Sequence, residues 1–227
     1  MFQWLDQLFP PQLIDLLLRA TGETAYMVAV ATLIGTAIGL PIGVSVAVTG
    51  RGELYGAPAW NRIAGAVVNA TRSIPFIILA VAIIPFTRLV AGTSIGTSAA
   101  IVPLTVAAIP FIARLVEGAI REVDRGLIEA AQAMGAKPIQ IVLKVLLPEA
   151  MPGIVHGLTL AVVSLIGYSA MVGAVGGGGL GDLGIRYGYQ RFMPEMMIAV
   201  VVLLIVLVQL VQSAGDRIAR AVNKRHR

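Results

Sequence analysis

From Ala25 to Thr49 the chain runs for twenty-five residues without a charged side chain. About 20 apolar residues in a helix cross the hydrocarbon of a bilayer, and a helix satisfies its own backbone polar groups where no water can. The same reading applies to residues 73–90, 97–116, 153–172 and 192–211. Composition agrees, since 57% of the residues are apolar and 13% charged, against roughly a quarter charged in soluble domains. At 227 residues there is room for five or six spans with loops and little for a soluble domain. The chain is therefore expected to be an all-α integral membrane protein, a single domain over residues 1–227 with five transmembrane helices.

Several function classes drop out on residue content. A formal net charge of +5 invites a nucleic-acid reading, but the basic residues are scattered over short loops and the tail, with no aromatic-interleaved stripe. There is no cysteine, which excludes disulfides and thiolate metal sites. His156 and His226 lie on separate elements and no Asp or Glu falls in mid-span, so neither a metal site nor an intramembrane catalytic pair is expected. The glycine-rich stretch 173–194, with Gly176 to Gly179 in succession, has no preceding strand and no Gly-Lys-Ser or Gly-Lys-Thr ending. It is not a nucleotide-binding loop, and its glycine content argues against a stable helix. Residues 1–20 lack a basic leader and are interrupted by charge and proline. They read as an interfacial helix with Trp4 at headgroup depth, not as a cleaved signal.

Within the spans, Gly35, Gly39 and Gly43 recur every four residues and form one face on which another helix can approach closely. The polar start of the second span, Asn69 to Ser73, fits either an interfacial snorkelling arginine or the mouth of a pathway. Arg114, Glu117 and Arg121 share a helix face and suit an interfacial ion-pair cluster. His156 reads as an interfacial residue satisfied by its surroundings.

The stretch 124–152, DRGLIEAAQAMGAKPIQIVLKVLLPEAMP, is charged and helix-forming between two hydrocarbon-like segments. Leu127 to Ala133 are good helix formers, Gly135 suits a left-handed helix stop, and Pro138 suits the first turn of the next helix. In that second helix Ile139, Val142, Leu143 and Leu146 follow the amphipathic spacing, opposite Lys137, Gln140 and Lys144. Pro148 is expected to end it before the chain re-enters lipid.

Glu129, Ala130, Ala131, Gly135, Leu147 and Pro148 reproduce a Glu-Ala-Ala, three residues, Gly, eleven residues, Leu-Pro pattern. It resembles the coupling loop of the permease subunits of bacterial ATP-binding-cassette importers, the binding-protein-dependent transport permeases of type I, with Val145 where the motif usually has Ile. NATRSIPFII (69–78), IPFTRLVAGTSIG (84–96), IGYSAMVGAVGGGGLG (166–181) and AGDRIARAV (214–222) are similar to the methionine-uptake members of that family. The resemblance implies a permease that is not itself an enzyme and holds no cofactor. Its two copies would form a homodimer and work by alternating access with two ATPase subunits that bind ATP and Mg. It also implies an extracytoplasmic substrate-binding protein, contact with membrane lipid and no nucleic acid. Methionine, in D and L forms, is the first substrate implied, and another small amino acid or osmolyte the second.

Charge sets the topology. With loop 124–152 inside, segments 50–72, 114–150 and 214–227 carry thirteen of the seventeen basic residues, which the positive-inside rule assigns to the cytoplasm. The N-terminus is then outside, the basic tail 214–227 inside, and the location the bacterial inner membrane. Candidate pathway residues are Ser73, Pro75, Phe76, Tyr168, Ser169 and Met171, polar or deformable groups on apolar spans; ordinary interhelical packing explains them nearly as well. Rival classes are an intramembrane enzyme and a self-contained channel or secondary transporter. The latter should show intramembrane acidic residues or inverted repeats, and neither is visible.

Overall fold

A computed structural model describes residues 11–50 and 53–223. Trp4 and the first half of the predicted interfacial segment, Arg51, and the basic residues of the tail from Lys224 onward lie outside the described residues. Within them the chain is helical throughout, with no strand.

The elements in order are α1 (Pro11–Val48), α2 (Pro58–Arg72), α3 (Phe76–Ala82), α4 (Ile84–Ala91), α5 (Thr97–Arg121), α6 (Arg125–Ala133), α7 (Pro138–Gly173), α8 (Gly179–Leu183) and α9 (Pro194–Val222). Four of them, α1, α5, α7 and α9, are long and apolar enough to cross a membrane, and the broken pair α2 and α3 makes a fifth if counted as one span. The expected second span, 73–90, is two short helices meeting at Ile83.

Helix bounds depart from the sequence expectation in four places. Residues 11–20 are not a separate interfacial piece, because α1 runs from Pro11 through Val48 without a break. Pro148 does not end a helix: from Pro138 to Gly173 the chain is continuously helical, with a π turn over Val142–Leu146 just before the proline. A wider turn accommodates a residue that gives no N–H, so the loop's second helix and the fourth span are one rod. The glycine run is also partly helical, with α8 followed by π turns over Gly184–Gln190. At the end, α9 carries the helix into the predicted tail as far as Val222.

Backbone contacts group the chain into two compact units: residues 1–33, 75–106 and 162–211 form the first, and residues 34–74, 107–161 and 212–227 the second. Each long helix contributes a segment to both.

In the first unit the core gathers Leu17, Leu180, Leu183, Met196 and Val200. Its glycines permit crossings that a side chain would block: a Cβ on Gly181 would run into the Ala170 backbone, and one on Gly188 would lie 2.9 Å from Met197 Cβ. In the second unit the Gly35, Gly39 and Gly43 face packs on α5. A Cβ on Gly35 would stand 2.7 Å from Ala108 Cβ, and one on Gly39 2.7 Å from the Ile109 carbonyl. The α9 segment crosses α7 just as tightly, with Gly215 against Thr159. The carbonyl of Val46, near the end of α1, accepts a hydrogen bond from Asn61 Nδ2 at 2.6 Å. Side chains thereby satisfy a helix end that would otherwise be short of donors.

Candidate functional site

The loop element belongs to the second unit. Asp124 caps α6, its Oδ1 accepting from Gly126 N–H at 2.7 Å. After Ala133 the backbone turns at Gly135, φ 76°. Gly135 N–H donates to the Gln132 carbonyl at 2.9 Å and Ala136 N–H to the Ala131 carbonyl at 3.1 Å. That pair of bonds is a Schellman stop, which needs a left-handed residue where glycine has no Cβ penalty. The chain restarts at Pro138, with Lys137 N–H held by Gln140 Oε1 at 2.9 Å.

Burial in the restarted helix differs from the simple amphipathic reading. Ile141, Val142 and Leu146 are buried, whereas Ile139 and Leu143 are exposed. The π turn over 142–146 shifts the phase, because its pitch is wider than the 3.6-residue period assumed from sequence. Met134, 80% exposed, Ile139 and Leu143 stand as uncovered apolar side chains around the Gly135 turn. Of the motif residues, Ala131 is buried, Leu147 is half-buried, and Glu129, Ala130, Gly135 and Pro148 are exposed.

The helix that leads into this element is anchored by charge. Glu117 is 4% exposed and its two oxygens take Arg114 Nη1 at 2.7 Å and Arg121 Nη2 at 2.8 Å. A buried carboxylate is tolerated because both oxygens are paired. A cavity of about 320 Å³ lies beside it, lined by Glu53, Leu54, Asn61, Arg121, Arg125 and Ile128 among others. Across it Arg125 Nη2 lies 3.9 Å from Glu53 Oε1. His156 Nδ1 lies 3.9 Å from Asp216 Oδ1, both side chains largely exposed.

Among the candidate pathway residues, the fold brings Phe76 and Tyr168 together in the first unit as stacked rings, centroids 4.4 Å apart and 7° from parallel. Ser169 is buried and its hydroxyl donates to the Ile166 carbonyl at 2.7 Å, so it is satisfied by its own helix. Ser73 donates likewise to the Asn69 carbonyl. Met171 is exposed, as is Pro75 at the start of α3. Arg72 lies over the Phe111 ring at 5.7 Å, a cation–π contact that gives this arginine a partner of its own.

Sequence reading missed the contact that seats the glycine run. Glu23 Oε2 accepts from Gly179 N–H at 2.8 Å, and Thr24 Oγ1, in a residue 1% exposed, accepts from Leu180 N–H at 2.9 Å. Gly178 and Gly179 both have positive φ, and a Cβ on Gly179 would stand 2.6 Å from Thr24 Oγ1. Nothing local in the sequence links residues 156 apart. The one available signal was a carboxylate followed by a threonine at the start of an apolar run. Among the described residues no group of three or more His, Cys, Asp or Glu side chains is arranged to hold a metal.

A helical membrane protein with an exposed helix–turn–helix between two spans is the class that this geometry defines. The chain belongs to the family of binding-protein-dependent transport system inner membrane components, whose model matches residues 39–227. It is 57% identical to a probable D-methionine transport system permease protein of Vibrio cholerae, over 93% of this chain and 94% of that one. It is 42% identical to the methionine import system permease protein of Bacillus subtilis, over 97% and 99%. Among solved structures it is similar to a subunit of an inward-facing methionine ABC transporter, TM-score 0.92 and 55% identity, covering 94% of this chain and 99% of the other.

Proposed function

We infer that this chain is the membrane-spanning permease subunit of an ABC importer that carries methionine, in D and L forms, into the cytoplasm. Transport proceeds by alternating access between two copies of the subunit, driven by ATP hydrolysis on two copies of a partner ATPase, where ATP and Mg bind. Relatives across nearly the full length are named for methionine transport, and this supports the substrate. An extracytoplasmic binding protein delivers it, and bilayer lipid surrounds the spans.

The observation that carries the mechanism is the Gly135 turn with Met134, Ile139 and Leu143 uncovered beside it, on a rod that continues unbroken to Gly173. Exposed apolar side chains on a loop outside the spans need a partner surface. A helix fused to a span passes any movement of that surface directly into the membrane. Residues 124–152 are thus the coupling loop: Glu129 meets the ATPase through polar contacts, Ala130 and Ala131 allow close helix approach, Gly135 fixes the bend, and Leu147 and Pro148 mark the join to the span. Five spans, N-terminus outside and C-terminus cytoplasmic, accord with the basic residues, since thirteen of seventeen fall in the three segments assigned inside. The stacked pair Phe76 and Tyr168, with Ser73, Pro75, Ser169 and Met171, lines the route.

Uptake of labelled methionine, measured in cells lacking the chain and then regaining it, tests the substrate. Restored uptake is expected; restoration of another amino acid but not methionine would replace it. The double substitution Met134→Asp with Ile139→Asp should release the ATPase during purification, and retention of the ATPase would refute the docking role.

A further inference from the structure

Within the first unit a cavity of about 50 Å³ is walled by Val81, Thr87, Ser94, Ala99, Pro103 and Val175 among others. Thr87 is 3% exposed and its Oγ1 has no hydrogen-bond partner. Other helical threonines here, Thr21, Thr32, Thr71 and Thr159, each donate to the carbonyl four residues back. Thr87 does not, although its own N–H reaches the Ile83 carbonyl at 2.8 Å.

Two residues of the wall have carbonyls deprived of their usual donors. Pro103 stands four residues after Ala99, and a proline has no N–H to return. Pro85 stands four residues after Val81 and likewise returns no N–H to it, while the Ile83 N–H donates to the Leu79 carbonyl at 3.0 Å. Ser94 adds a second hydroxyl. Two hydroxyl-bearing residues, Thr87 and Ser94, thus share the wall of a small space with two proline-interrupted stretches of helix, and leaving the buried Thr87 hydroxyl unpaired in hydrocarbon costs several kcal/mol. Among the described residues no charged side chain lines the cavity, so a bare ion would go uncompensated. An amino acid is too large for it, while a water takes about 30 Å³ of liquid volume and needs two to four polar partners.

We propose that this cavity is an internal water site, in which one or two water molecules bridge Thr87 Oγ1, Ser94 and the Ala99 carbonyl in place of the helical hydrogen bonds that proline removes. The site touches three breaks in regular structure: the Ile83 joint between α3 and α4, the proline in α5, and the turn at Gly177 after α7. Water offers partners that exchange, so these breaks can shift without stranding a polar group in lipid.

The sign of a stability change tests the proposal. In the full transport complex, Thr87→Val deprives the water of its hydroxyl and should lower the melting temperature by about 2–4 °C, whereas Thr87→Ser should stay near wild type. Thr105, whose Oγ1 is also unpartnered but does not line the cavity, is the control: Thr105→Val should not lower it. Were the Thr87 hydroxyl simply unsolvated, Thr87→Val would remove a stranded polar group and raise or preserve the melting temperature, and that result overturns the site. If Thr87→Val assembles poorly, Pro103→Ala supplies the missing N–H to Ala99, and the cost of Thr87→Val should shrink in that background; strictly additive costs would also refute it. A structure of the complex resolving ordered solvent should show density within about 3 Å of Thr87 Oγ1, and a clear absence would count equally against the proposal.

Discussion

The two units handle polarity in different ways. The second contains thirteen of the seventeen basic residues and the first only Arg19, Arg88, Arg186 and Arg191. Charge in the second is organised into side-chain pairs, with Glu117 between two arginines, Glu53 facing Arg125 and Asp216 facing His156. Ion pairs such as Arg186 with Asp182 occur in the first as well. Its long-range polar contacts, however, reach the backbone of the glycine run: Glu23 and Thr24 hold the N–H groups of Gly179 and Leu180, and Gly96 N–H donates to the Gly176 carbonyl at 2.8 Å. A glycine-rich segment has few side chains to pair, so its backbone must be satisfied directly. Helix packing, by contrast, follows one rule in both units, since small residues let backbones meet in each.

That comparison breaks most visibly if packing is not shared. Gly43→Leu in the second unit and Gly181→Leu in the first each drive a side chain into a neighbouring backbone. Both should cost about 3 kcal/mol or abolish assembly, read as loss of properly folded complex on gel filtration. A benign result at one site would show that the units differ in packing as well as in charge.

Glu117→Ala comes next. It strands two arginines that are half exposed and can rehydrate, so the cost should be about 2 kcal/mol. High salt should narrow the gap between variant and wild type in thermal melts.

For the first unit, Glu23→Ala and Thr24→Val leave Gly179 and Leu180 N–H without acceptors, at about 1 kcal/mol each. Loss of the pair should expose the 176–190 segment to limited proteolysis while leaving ATPase binding intact. Glu53→Ala has the smallest expected effect, under about 0.5 kcal/mol, because Arg125 is largely exposed. A large loss of stability in Glu53→Ala would instead assign the α1–α2 loop a direct part in holding α6.

Much of the architecture was legible without coordinates. The long apolar runs located the four helices long enough to cross a membrane, while 73–90 is broken at Ile83, and the Gly35, Gly39, Gly43 spacing gave a packing face because four residues bring a helix nearly back to the same side. Arg114, Glu117 and Arg121 were readable as a cluster for the same reason. Gly135 was readable as a stop because a left-handed turn after a good helix calls for glycine. Local propensity misleads where neighbours decide. Pro148 reads as a terminator, yet the π turn before it keeps the rod intact; the glycine run reads as coil, yet a carboxylate and a hydroxyl from α1 hold the start of a helix there.

The sequence by itself therefore determined what periodicity and solvent preference govern: the helical class, the apolar lengths and the position of the turn at Gly135. Tertiary structure alone decided which groups met partners far away in the chain. Glu23 meeting Gly179, Phe76 stacking on Tyr168, and Thr87 facing a cavity beside a proline-deprived carbonyl all depend on contacts between residues distant in the chain. No local pattern encodes such contacts, because they exist only once the helices have packed.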